Sequence, residues 1–360
     1  MVRFYCLILS SAHAEDILGK DTYTVPMYST VLELVTTSTS RMFVGRDLGR
    51  DPRWLSAASG YTVAVGAVTK DLQRHYQFLH PIVAPFLQSY KELQQCHAEA
   101  EAILLPVFDR RRILQSVQHH DMIQWLLDAS AKDPVQDLGK LIRRMMFLNM
   151  AAIHTTTHTV TNVILDLCDR PEYIEPIRQE MIEEIKDHGG VKASTLASLK
   201  RLDSFMKESQ RLNPMDLMVF NRCVDHPIPL STGVTIPKGT YISLPLFPLC
   251  RDPKRYPDPL TFKGNRFYDL RQKSDEARFQ FATSDRDGPG WGFGKYACPG
   301  RFWAAAQIKL VLINLLLRFD IAYPQGQKER PEDTVLGEKK TPSRTQMMIL
   351  KNKPGDKILG

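Results

Sequence analysis

Residues 291–301 read Trp291-Gly292-Phe293-Gly294-Lys295-Tyr296-Ala297-Cys298-Pro299-Gly300-Arg301, three glycines around one cysteine. Glycine adopts conformations and permits close approaches that a Cβ forbids, so this loop is shaped for something flat and large to lie against it. Pro299 suits the first position of a helix, where its fixed φ helps and its missing N–H is not needed. That reading starts the last helix at Pro299 and puts Cys298 at its N-terminus, where the helix dipole and free backbone N–H groups favour negative charge on sulfur. A thiolate held in a glycine-rich bulge is either a nucleophile or an iron ligand. A nucleophile needs a histidine base within reach, and the sequence offers none nearby. The plain alternative, a structural cysteine at a helix entry, leaves the Gly-x-Gly-x-x-x-Cys-x-Gly spacing unexplained.

Around this loop the chain reads as mainly α with a small β region, an α+β class. Apolar residues three and four apart predict helices over 27–43, 72–90, 98–117 and 122–127, with Pro81, Pro85 and Pro106 marking breaks or kinks. The longest helix is predicted over 138–168, with small residues at Ala151 and Ala152 in its middle, as beside a bulky ligand. A charged helix over 172–187 stops at Gly189-Gly190, and another over 193–212 is ended by Asn213-Pro214. Short β-branched runs over 218–248, punctuated by turn residues, predict a small sheet of hairpins. Residues 251–297 form a long irregular stretch, a length that in compact domains is usually functional. The final helix is predicted over 299–318 and a short strand over 347–350. The organisation expected is one domain over 25–350, with an ill-defined segment 1–24 before it and a tail 351–360 after it.

The 360 residues are 43% hydrophobic and 24% charged, which excludes disorder and fibrous repeats and allows a core large enough to enclose a cofactor. Six cysteines stand singly, without the paired spacing of zinc sites or disulfide frameworks, and point to a reducing compartment. The formal charge of +7 is spread along the chain, and the run Arg110-Arg111-Arg112 reads as a solvated helix face with no aromatic residues interleaved. Nucleic acid is therefore not an expected partner. A membrane helix needs about 18 consecutive apolar residues, and the best stretch, 304–317, is interrupted by Gln307, Lys309 and Asn314. The first 14 residues have the outline of a short signal peptide or of a buried first segment.

Two further constellations carry chemistry. Glu208 and Arg211 lie three apart on one helical face, a spacing that by itself reads as a surface ion pair. Ala151-Ala152-Ile153-His154-Thr155-Thr156-Thr157-His158 holds two histidines four apart. Zinc proteases use that spacing with a Glu after the first His, and here Thr155 stands in its place. A plainer reading has the threonine hydroxyls bonding back to the preceding turn.

Together these segments resemble the cytochromes P450. The cysteine loop matches Phe-Gly-x-Gly-x-Arg/His-x-Cys-x-Gly, with Trp291 for the usual Phe and Tyr296 for the usual Arg or His. The resemblance implies haem as cofactor, held by Gly292, Gly294, Gly300 and the flanking Trp291 and Tyr296, with Cys298 as the axial thiolate on iron. It implies that Tyr296 can still hydrogen bond to a haem propionate, without charge. Glu208, Arg211 and Arg266 become a buried network that pins the cysteine loop. Thr155 becomes the residue that hydrogen bonds dioxygen and helps deliver protons, and His154 stands where the family has an acid, a group able to relay protons near neutral pH. Met218, Val219 and Phe220 become candidates for the wall of a substrate cavity.

The phrasing is similar to filamentous-fungal enzymes of secondary metabolism, including diterpene oxidases. The resemblance implies a monooxygenase acting on a hydrophobic small molecule, a terpenoid or other secondary metabolite. Dioxygen and electrons from an NADPH–cytochrome P450 reductase complete the reaction, which the family runs on the cytosolic face of the endoplasmic reticulum membrane. The family's membrane helix and first strands are not legible ahead of residue 25. An N-terminally truncated P450 fold, cytosolic without its anchor, and a non-catalytic haem-binding remnant are the expectations that follow.

Overall fold

The computed structural model describes residues 21–114, 119–133, 136–273, 276–286 and 288–353. The signal-like stretch at the start of the chain and most of the 351–360 tail lie outside the described residues. Contacts divide the described chain into two compact units, residues 30–157 and residues 21–29 with 158–353.

The first unit is helical. It holds most of α1 (Met27–Leu48), which kinks at Gly45 where φ is +79°. α2 (Pro52–Leu72) starts where the Asp51 carboxylate accepts the Arg53 N–H at 2.9 Å and proline takes the first position. Trp54 is fully buried and its indole N–H donates to Ser40 Oγ at 3.0 Å, fastening α2 to α1. Periodicity missed α2, which is rich in Ala, Gly, Ser and Thr, and placed a helix over 72–90 instead. That segment is a series of single turns around Pro81 and Pro85, because proline clashes with the preceding turn and cannot donate to it.

α3 (Gln88–Ile113) continues through Pro106, where a break or a kink was expected. The lost hydrogen bond costs about 3 kcal/mol and is offset by the complete burial of Leu104 and Phe108. Asp121 caps α4 (Met122–Ala129), accepting the Gln124 N–H, and receives both Nη groups of Arg111 at 2.6 and 2.9 Å. Arg111 therefore leaves the solvated face expected of the basic run, while Arg110 and Arg112 stay exposed.

α5 (Leu138–Asp169) is the predicted long helix, and its residues 138–157 belong to the first unit. Met145, Met146 and Ile153 are buried on one side, while Phe147, Ala151 and Thr155 form an exposed stripe at four-residue spacing.

The second unit mixes helices with small sheets. α6 (Ile174–Asp187) is followed by α7 (Ala193–Ser198) and α8 (Lys200–Leu212), two helices where one over 193–212 was expected. The break at Leu199 is fixed from α6, since the Glu180 carboxylate accepts the Arg201 and Leu202 N–H groups at 2.7 and 3.1 Å and so caps α8. β1 (Thr22–Pro26) begins inside the segment read as ill-defined and forms the edge of an antiparallel sheet of order β1-β9-β6, with β6 at Phe319–Ala322 and β9 at Met347–Asn352.

The expected hairpins are present. β2 (Met218–Cys223) pairs with β5 (Tyr241–Pro245), and β3 (Ile228–Pro229) with β4 (Thr235–Ile236). β7 (Thr334–Leu336) and β8 (Lys339–Thr341) make one more. The irregular stretch contains a helix the sequence did not announce, α9 (Arg266–Lys273). α10 (Arg301–Arg318) is the apolar final helix. No helix among the described residues is long and apolar enough to cross a membrane.

Candidate functional site

The cysteine loop is closed by backbone. The Cys298 N–H donates to the Trp291 carbonyl at 2.7 Å, and the Ala297 N–H to the Gly294 carbonyl at 3.1 Å, forming a 3₁₀ turn over Gly294–Tyr296. Gly292 and Gly294 have φ of +76° and +63°. At Gly292 a Cβ would lie 2.9 Å from the Tyr296 carbonyl oxygen, so the glycine is required twice, by conformation and by space. Gly294 needs only the conformation, since a Cβ there would meet open space.

α10 starts at Arg301 with Gly300 as its cap, two residues later than the proline suggested. Ala297 is extended and the Cys298 N–H is already committed to the bulge, so the first helical bond, from the Ala304 N–H to the Gly300 carbonyl, forms only beyond Pro299. Cys298 is a free thiol, half-buried, and its carbonyl accepts from the Arg301 guanidinium at 2.8 Å. It stands just ahead of the helix cap rather than on the first turn.

Tyr296 is exposed, and the Arg222 guanidinium stacks 4.0 Å from its ring centroid and 4.7 Å from that of Phe220. The β2–β5 register shifts between Val219 and Arg222, and Phe220 takes a φ of +64° within that bulge. Sequence reasoning passed over Arg222. Its signal, an arginine two residues after Phe220 on a strand, is weak until the fold brings its guanidinium over the rings of both Phe220 and Tyr296. Met218 and Val219 are half-buried and Phe220 is exposed.

Glu208 is fully buried between two guanidinium groups. Arg211 binds it in bidentate fashion, both contacts at 2.8 Å, and Arg266 Nε reaches both carboxylate oxygens at 3.1 Å. Two cations against one anion leave an excess positive charge, which is spread over the carbonyls of Cys250, Pro257, Asp258, Pro259 and Thr261. The surface reading of Glu208 and Arg211 is therefore wrong. Among the described residues, none of the network's hydrogen bonds reaches 291–301; it organises residues 250–263.

His154 and Thr155 lie on α5 in the first unit. The Thr155 hydroxyl donates to the Ala151 carbonyl at 2.7 Å and that of Thr157 to Ile153 at 2.8 Å, the back-bonding that a threonine-rich helix allows. His158 opens the second unit's part of the helix. Its Nε2 lies 2.9 Å from the Lys340 carbonyl, and burial holds its pKa down to about 4, against a smaller upward pull from that hydrogen bond. The imidazole is thus held neutral and fastened to the Lys340 strand.

The sequence model of the cytochrome P450 family matches residues 24–347. The chain belongs to the cytochrome P450 family. It is 35% identical over 340 residues to a cytochrome P450 monooxygenase of Emericella nidulans, covering 92% of this chain and 63% of that protein. It is 40% identical over 310 residues to one of Penicillium canescens, covering 84% and 58%, and 35% identical over 316 residues to the ent-kaurene oxidase of Gibberella intermedia, covering 87% and 59%. This P450 chain thus spans 58% to 63% of the length of these relatives. Its fold is similar to that of the retinoic acid-bound cyanobacterial CYP120A1, with a TM-score of 0.73 at 21% identity over 96% of this chain and 73% of the other.

The cofactor that the family implies is haem, and the loop of this P450 fits it. A free, half-buried thiol is a soft donor suited to iron. At Gly294 of the same bulge a Cβ would meet open space, which leaves room there for a flat ring.

Proposed function

We propose that this P450 chain carries the haem-thiolate site of a monooxygenase that inserts one oxygen atom of dioxygen into a hydrophobic small molecule. The observation that carries the reading is the closed bulge, in which two positive-φ glycines and the bond from the Cys298 N–H to the Trp291 carbonyl hold one cysteine in a fixed place. In this reading Cys298 would hold the haem iron through its thiolate, Gly292, Gly294 and Gly300 would give the ring room, and Trp291 would brace the loop. Tyr296, with the guanidinium of Arg222 on its face, offers the polar edge for a propionate. Haem supplies the activation of dioxygen, which a thiolate ligand favours. Thr155 would give its hydroxyl proton toward dioxygen, releasing its bond to Ala151, and His154 would pass on the replacement proton. Glu208, Arg211 and Arg266 hold the segment around residues 250–263 and take no part in the chemistry.

Electrons would come from NADPH through a cytochrome P450 reductase at the endoplasmic reticulum membrane. The ent-kaurene oxidase among the relatives supports a terpenoid or a similar secondary metabolite as substrate. A second reading, haem binding without turnover, is favoured by His154 in place of an acid and by the Thr155 hydroxyl already bonded to Ala151.

The chain purified with added haem, reduced and exposed to carbon monoxide should show the red-shifted Soret band of a thiolate ligand, absent in Cys298→Ala. No haem uptake overturns the reading. With a reductase and candidate substrates, NADPH consumption without product would favour the second reading, whereas product formation that Thr155→Ala uncouples supports the first.

A further inference from the structure

α8 carries a second set of buried charges before Glu208, and their bonds lead to the cysteine loop. Asp203 Oδ2 accepts the Phe281 N–H at 2.7 Å and Arg271 Nη2 at 2.8 Å, while its Oδ1 lies 2.6 Å from Lys309 Nζ. All three charged side chains are buried. Lys309 belongs to α10, where it interrupted the apolar run in the sequence. One turn further along α8, Lys207 donates to the carbonyls of Gln280 and Thr283 at 2.8 and 3.0 Å, on either side of Phe281.

Phe281 is fully buried, and its carbonyl accepts the Trp291 indole N–H at 2.7 Å. The two rings meet edge to face, 5.3 Å between centroids. The carbonyl of Trp291 is the group that accepts the Cys298 N–H. Three hydrogen bonds, joined by the covalent frames of Phe281 and Trp291, thus connect a buried carboxylate to the amide of the cysteine. The carboxyl group at the start of this series is set between the Arg271 and Lys309 cations, and hydrogen bonds to charged partners are about twice as strong as neutral ones.

We propose that Asp203 is a positioning residue for Cys298, acting through the Phe281 backbone and the Trp291 indole. Trp291, where the family pattern has phenylalanine, completes the link, because phenylalanine has no N–H to give to Phe281. The consequence for haem rests on the reading proposed above; the link within the protein does not.

Two measurements test it on the full chain. Without haem, the alkylation rate of Cys298 by iodoacetamide is followed by peptide mass spectrometry beside that of Cys168 and Cys250. Asp203→Ala, which loses a charge-assisted bond, should raise the Cys298 rate roughly tenfold, and Trp291→Phe, which loses a neutral one, roughly fivefold, with Cys168 and Cys250 unchanged. The double variant should exceed the larger single effect by little, because both substitutions cut one link. With haem, the pH at which the thiolate-type Soret band of the carbon monoxide adduct disappears should rise in each single variant and no further in the double.

Additive effects, an unchanged Cys298 rate, or a parallel rise at Cys168 and Cys250 would overturn the proposal. If Asp203→Ala fails to fold, Asp203→Asn replaces it, and the same non-additivity with Trp291→Phe is required. A wild-type chain without a thiolate band overturns the haem reading alone, and the alkylation cycle still decides the link.

Discussion

Glu208 answers for two arginines at once, and that makes it the most costly side chain of its network to lose. Glu208→Gln keeps the shape but leaves Arg211 and Arg266 facing each other without a counter-charge in a buried site. Breaking a buried ion pair from one side costs about 3–5 kcal/mol. Urea unfolding should show a lower midpoint or, at the upper end, no cooperative transition. His158 sets an acid limit. Between the ordinary value of 6.5 and its native value of about 4, the unfolded chain binds a proton that the native chain refuses. Stability therefore falls as pH drops through that window, by up to about 3 kcal/mol. His158→Gln, which retains a donor for the Lys340 carbonyl, should flatten the thermal midpoint between pH 6.5 and 4; an unchanged slope would place the acid sensitivity elsewhere.

At the scale of elements, the cysteine loop and the end of α10 make separable predictions. Gly292→Ala meets both a positive φ and the Tyr296 carbonyl, whereas Gly294→Ala meets the φ alone. The first should cost about 2–3 kcal/mol and the second about 1, an ordering that thermal unfolding and haem content can both check. The C-terminus of α10 is held from another helix. Arg178 of α6 is buried, and donates to the carbonyls of Leu316 and Phe319 at 2.8 and 2.7 Å. Arg178→Met should destabilise by about 1–3 kcal/mol through buried acceptors left without partners. The signature is faster amide exchange in the last turn of α10, with α9 unaffected.

At the scale of the molecule, the second unit is closed by strands from opposite ends of the chain. Leu350 is buried in β9 opposite Tyr23 of β1 and Ile321 of β6. Leu350→Pro removes a ladder donor and a core side chain together and should cost more than 3 kcal/mol. Hydrogen exchange should then show residues 22–26 and 319–322 unprotected. Retained protection there would mean that β9 does not organise the sheet.

What the sequence determined by itself is what local chemistry compels. The positive φ of Gly292 and Gly294, the run of α5, the i, i+3 pairing of Glu208 with Arg211 and the hairpins over 218–248 all follow from neighbours along the chain. With the motif spacing, they were enough for the family. Local rules erred where a distant group intervened. Glu180 broke one predicted helix into two, and the cysteine's own backbone bond delayed the start of α10. The partners of Asp203 and His158, 78 and 182 residues away, left no trace in the pattern. Only the tertiary structure decides such pairings, because a buried charge or imidazole takes whichever polar group the packed chain brings within hydrogen-bond reach, and no spacing rule encodes that meeting.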